Sequence, residues 1–167
     1  APVAAPGPNA EGDHLLKAIR LFRGIGDQKL AALETLGHRQ VFSLGDVLVA
    51  RGARPDCAYA ILQGSVACRI PAGTDETEAA RIGPGSTLPP LALARVPLTE
   101  ATWIAVTQVE AFVIPLKGLD ELVKREPEIR ASLQEAVLTE VVELYLGVIG
   151  RTGSALAETQ RQWERRR

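Results

Sequence analysis

The chain has 167 residues, 46% of them hydrophobic and 23% charged, which fits one globular domain with a sizeable core and excludes a disordered polymer. Nineteen basic residues against 20 acidic ones leave a net charge of −1, which argues against a uniformly basic nucleic-acid surface and leaves room only for a local patch. Two cysteines, Cys57 and Cys68, are too few for a disulfide scaffold or a structural zinc site, and no apolar run reaches the roughly 20 residues of a membrane-spanning helix.

Residues 1–12 (APVAAPGPNAEG) read as a flexible Pro/Ala-rich linker without the basic and apolar regions of a secretory signal, so the expected location is cytoplasmic. With no methionine anywhere, the sequence reads as a processed chain or a piece of a longer one. One domain is expected over 13–150, with helices at 13–37, a β-barrel at 38–116 and helices at 117–150. Asp13 is the expected N-cap of a short helix bearing Leu15, Leu16 and Ile19. Asp27 is the expected cap of a second, with Leu30, Leu33 and Leu36 on one face and Gly37 as its stop. Between Arg39 and Pro115, short β-prone runs at 40–42, 47–49, 59–62, 66–70, 79–82, 103–107 and 111–114 alternate with glycine turns, the pattern of an antiparallel sandwich or barrel. A short amphipathic helix with Leu119, Leu122 and Val123 follows, then a longer one opened by Pro127 and weakened at Gly147, Gly150 and Gly153. Residues 151–167 read as a polar, Arg-rich tail.

The order of these motifs resembles the cyclic-nucleotide-binding domain, from about residue 14 to 146. Phe42-Ser43-Leu44-Gly45-Asp46-Val47-Leu48 is similar to that family's opening hairpin. Arg51-Gly52 with Pro55 to Val66 is similar to its G-x(5–6)-[LY]-[YF]-x-[IV]-x-x-G-x-[VA] segment, and Ile82-Gly83-Pro84-Gly85 to the turn that leads into its nucleotide site. The resemblance implies an α+β fold, an antiparallel β-barrel or jelly roll flanked by N-terminal and C-terminal helices. Gly45, Gly52 and Gly64 fall where tight turns want positive φ, and they build the barrel without bearing on ligand.

The family captures its ligand with a short cassette in which helix N-terminal amides and one arginine hold the cyclic phosphate and a glutamate holds the ribose. Here the matching stretch runs from Gly85 and Ser86 through Pro89, Pro90, Leu91, Ala92, Arg95, Thr99, Glu100 and Ala101. Pro89 falls at the family's glycine, Pro90 at its glutamate, Thr99 at its arginine and Glu100 at its small hydroxyl residue. Two prolines remove backbone donors, and Glu100 adds negative charge. One lost charge-assisted contact, about 1.5–3 kcal/mol, costs roughly ten- to over a hundredfold in affinity, so the combined losses predict no ordinary cyclic-nucleotide binding. Arg95 reads first as a solvated loop residue and second as a displaced phosphate partner. Trp103 reads as core packing rather than base stacking.

No catalytic constellation stands out. His14 and His38 lack metal-ligand spacing, the cysteines lie in apolar strand context, and neither a metal site, a cofactor nor an enzyme is expected. The apolar helix from Pro127 to Ile149 is the expected contact surface, with Val137, Val141, Leu144, Tyr145 and Val148 on its seam, for a protein partner or self-association. Host domains of the same polypeptide are further expected partners. Too few residues follow Gly153 for a helix-turn-helix, so sequence-specific DNA binding is not expected. The expected role is that of a regulatory, interaction or assembly module; the competing role is a sensor that binds a cyclic or other nucleotide in a non-standard way.

Overall fold

The computed structural model describes residues 14–88 and 101–164. Two 3-10 turns, Leu15–Ala18 and Arg20–Phe22, lead into helix α1 (Asp27–Glu34). Eight strands follow: β1 (His38–Phe42), β2 (Val47–Val49), β3 (Cys57–Gln63), β4 (Val66–Ala72), β5 (Asp75–Ile82), β6 (Thr87–Leu88), β7 (Thr102–Ala105) and β8 (Val109–Pro115). Helix α2 (Leu116–Arg125) and the 38-residue helix α3 (Pro127–Glu164) close the described chain.

The strands form two four-stranded antiparallel sheets, ordered β1-β8-β3-β6 and β2-β7-β4-β5. This is the expected α+β jelly roll. Alternation along the strands builds two cores. Phe42, Ile61, Val66, Leu88, Trp103, Val109 and Ala111 point between the sheets. Ala60, Phe112 and Ile114 point to the outer face of the first sheet, where Leu16, Ile19, Phe22, Leu30, Leu33, Leu119, Leu122, Ile129, Leu133 and Val137 cover them. Strand β8 is thus buried on both faces, which explains its unbroken apolar run from Ala111 to Ile114.

Several local expectations change. The first segment forms 3-10 turns rather than an α-helix, and the expected cap Asp13 lies outside the described residues. Gly26, not Asp27, caps α1: its carbonyl accepts from the Lys29 and Leu30 amides, while Asp27 sits in the first turn and pairs with Lys17 at 2.9 Å. Strand β6 has only two residues, too few to leave a periodic trace in the sequence. The turn glycines Gly45, Gly52 and Gly64 do adopt positive φ, at 90°, 78° and 89°. Gly64 is further constrained, because a Cβ there would lie 2.2 Å from the Gln108 carbonyl oxygen.

The largest change concerns α3. Gly147, Gly150 and Gly153 do not break it, and it runs on to Glu164 through much of the expected tail. At about 1.5 Å per residue it is about 57 Å long. Its first turns bury Ile129, Leu133 and Val137, and Val141 packs partly against the same core. From Val142 onward every residue whose side chain is described is exposed.

Candidate functional site

The turn that precedes the cassette is built first by glycine. Gly85 has φ 89°, and a Cβ on it would meet the Ala18 carbonyl oxygen at 3.2 Å. Its N–H donates to the Ile61 carbonyl at 2.9 Å, and the Ser86 carbonyl accepts from the Ile61 N–H at 2.8 Å, so the turn is sewn to β3. On its other side the Gly85 carbonyl accepts from the Arg20 N–H at 2.9 Å.

Ser86 and Thr87 are buried polar residues that would carry a desolvation cost without partners. Both have them. The Arg20 guanidinium donates from Nη2 to Ser86 Oγ at 3.4 Å and reaches Glu143 from Nη1 at 3.6 Å. Among the described residues strand β6 is the edge of its sheet, and no described strand lies beyond it to take the outward Thr87 N–H. Glu140 of α3 fills that role: its Oε1 accepts the Thr87 N–H at 3.2 Å, and its Oε2 accepts the Thr87 hydroxyl at 2.8 Å. Burial pushes the Glu140 carboxyl above its ordinary range. Nearby Glu143 adds to that push, while the Thr87 hydrogen bonds and the Arg20 charge oppose it. Segment 85–88 is thereby a junction joining the first helical turns, β3 and the long helix.

An open cleft of about 360 Å³ lies beside this junction, lined by Leu15, Ala18, Ile19, Arg39, Ile61, Leu62, Gln63, Pro84, Gly85 and Glu110. Arg39 and Glu110 pair there at 3.0 Å, so these charges largely neutralise each other.

Of the residues singled out in the sequence, Gly85 and Ser86 lie in the junction, and Ala101 is buried in the inter-sheet core. Pro89, Pro90, Leu91, Ala92, Arg95, Thr99 and Glu100 lie outside the described residues. Val137 is 8% exposed, and Val141 packs against the same core, so the chain's own helix-side core occupies these two seam positions. Tyr145 stands out at 64% exposure, and the side chains of Leu144 and Val148 lie outside the description. The exposed apolar row is instead Leu138, Val142, Tyr145 and Ile149, with Leu146 on its flank. Trp103 packs between the sheets, 5% exposed, as expected. Burial pushes the thiols of Cys57 and Cys68 up, the opposite of an activated nucleophile. Among the described residues no group of three or more acidic, His or Cys side chains could hold a metal, and no helix is long and apolar enough to cross a membrane.

Sequence reasoning missed Arg20, Thr87, Glu140 and Glu143. One signal was available: Glu140 lies three residues after Val137 and one before Val141, an acid set into an apolar helical stripe.

The described elements define a helix-covered antiparallel jelly roll of two four-stranded sheets with a glycine turn at Gly85. Residues 39–126, more than half of the chain, match the cyclic nucleotide-binding domain family, and the chain belongs to that family. No curated protein matches the sequence significantly. Solved structures share the fold. The N-terminal domain of a transcriptional regulator from Streptomyces coelicolor superposes with TM-score 0.67 at 24% identity, covering 78% of this chain and 94% of that one. The catabolite activator protein of Thermus thermophilus gives 0.66 at 20% identity, covering 80% of this chain and 63% of that one, so this chain spans under two thirds of its length. The regulatory domain of Toxoplasma gondii PKA, solved with cAMP, gives 0.65 at 20% identity over 77% of this chain and 48% of that one.

Proposed function

We propose that this chain is a non-catalytic member of its family that acts as an assembly module through α3 and does not capture cAMP or cGMP by the usual cassette. The observation that carries the reading is the exposed row on α3. Leu138, Val142, Tyr145 and Ile149 are 66%, 46%, 64% and 48% exposed. They are spaced four, three and four residues apart, the spacing of a coiled-coil seam. A single helix projecting from its domain with such a row gains stability by covering it, and a second copy of the same helix presents the matching row.

The nucleotide half of the reading rests on sequence. Pro89, Pro90, Thr99 and Glu100 stand where the family places donors and a guanidinium. The host polypeptide, if the chain is part of one, would be served by the same helix, and DNA contact by this chain is not part of the proposal.

Two measurements test it. Sedimentation of the purified chain across a wide concentration range is expected to show reversible association, and a concentration-independent monomer would refute the self-association. Calorimetric titration with cAMP, cGMP and cyclic dinucleotides is expected to give no saturable heat at millimolar ligand. Micromolar binding would overturn the cassette reading and favour a sensor in which Arg95 supplies the phosphate contact.

A further inference from the structure

We infer that Glu140 is a positioning residue that holds α3 against strand β6. The carboxylate spans from the helix to Thr87, taking both the backbone N–H and the hydroxyl of the residue that opens β6. Thr87 is 2% exposed, so water cannot readily replace the carboxylate there. One helical turn further along, Glu143 reaches Arg20, whose amide and guanidinium hold Gly85 and Ser86. Both ends of segment 85–88 are therefore fixed by the protein's own groups, and Ile61 fixes its middle. Among the described side chains Val141 is the last that packs on the core, and Val142 begins the exposed stretch just beyond this contact. Glu140 thus sets the point at which α3 departs, and with it the direction in which the exposed row faces.

The charge of Glu140 is dispensable for this role. A glutamine can accept the Thr87 N–H through Oε1 and donate from Nε2 to the Thr87 hydroxyl oxygen, which can accept as well as donate. An alanine can do neither. The contact also does not depend on whether two copies associate, so it is measured on dilute monomer.

Hydrogen–deuterium exchange of the full chain tests it, with segments 85–88 and 138–150 followed together. Glu140→Ala and Thr87→Val are expected to speed exchange in both segments by roughly tenfold or more, the factor that losing a hydrogen bond to a buried charged group implies. Glu140→Gln is expected to exchange no faster than the parent in either segment. Leu122→Ala, which opens the helix-side core elsewhere, serves as the control for general loosening. Faster exchange in one segment without the other, parental exchange in Glu140→Ala, or the same paired pattern in Leu122→Ala would each overturn the inference. Failure here leaves the assembly reading standing, because association is measured separately.

Discussion

Replacing Leu138 and Tyr145 together by serine removes two of the four seam side chains from each copy of α3. Full burial of such a side chain is worth about 1.5–3 kcal/mol. These residues are already about one third covered in the single chain, being 66% and 64% exposed, so each has about 1 kcal/mol or somewhat more still to gain. Over both copies the full seam with Leu146 supplies about 10 kcal/mol, against an association cost of about 4 kcal/mol or more. The contact is therefore reversible and weak, with dissociation in the range from millimolar down to tens of micromolar. The double substitution removes four side chains from the pair, about 4 kcal/mol or about a thousandfold in dissociation constant. Sedimentation velocity should then show only monomer at every practical concentration. Both positions are mostly exposed in the monomer, so the unfolding free energy at low concentration should fall by no more than about 1–2 kcal/mol, the share of burial these side chains already have. Association that persists unchanged in the double variant would refute the seam, and a large loss of monomer stability would show that these side chains serve the core.

Glu140 also makes a pH prediction. Its folded pKa lies above the ordinary glutamate value because of burial, so the folded state holds the proton more tightly than the unfolded one. The ionised side chain therefore lowers stability as pH rises from the ordinary glutamate range through the raised folded value. The melting temperature of Glu140→Gln minus that of the parent should grow through that window and level off above it; a difference that does not vary with pH would refute the assignment. Gly64→Ala and Gly45→Ala share the strain of a positive φ, about 1–2 kcal/mol, yet only Gly64 faces a backbone oxygen at 2.2 Å while Gly45 has open space. Denaturant unfolding should show the Gly64 variant losing more than about 4 kcal/mol and the Gly45 variant much less, and equal losses would contradict the packing described. Cys57 and Cys68 should react with iodoacetamide at neutral pH more slowly than free cysteine, since burial raises both thiols. Mass spectrometry showing modification at the free-cysteine rate would refute this.

The sequence alone determined the architecture. Apolar runs broken by glycine mark every described barrel strand except the two-residue β6 to within about four residues, because strand burial and positive-φ turns leave local traces. The family followed from the same ordered motifs. Tertiary structure decided which face of the long helix is free. Val137 and Val141 have the same four-residue spacing as Leu138 and Val142, so periodicity marks two apolar stripes about 100° apart and cannot say which one the protein's own core will cover. Packing assigns the first stripe to the core and the second to solvent. Helix α3 also runs on past its three glycines, whose local propensity alone had pointed to a weakened helix. The junction of Arg20, Ser86, Thr87 and Glu140 was equally hidden, because its hydrogen bonds join residues that lie 53 and 66 positions apart and only the closed fold brings the edge amide of Thr87 to a helix carboxylate.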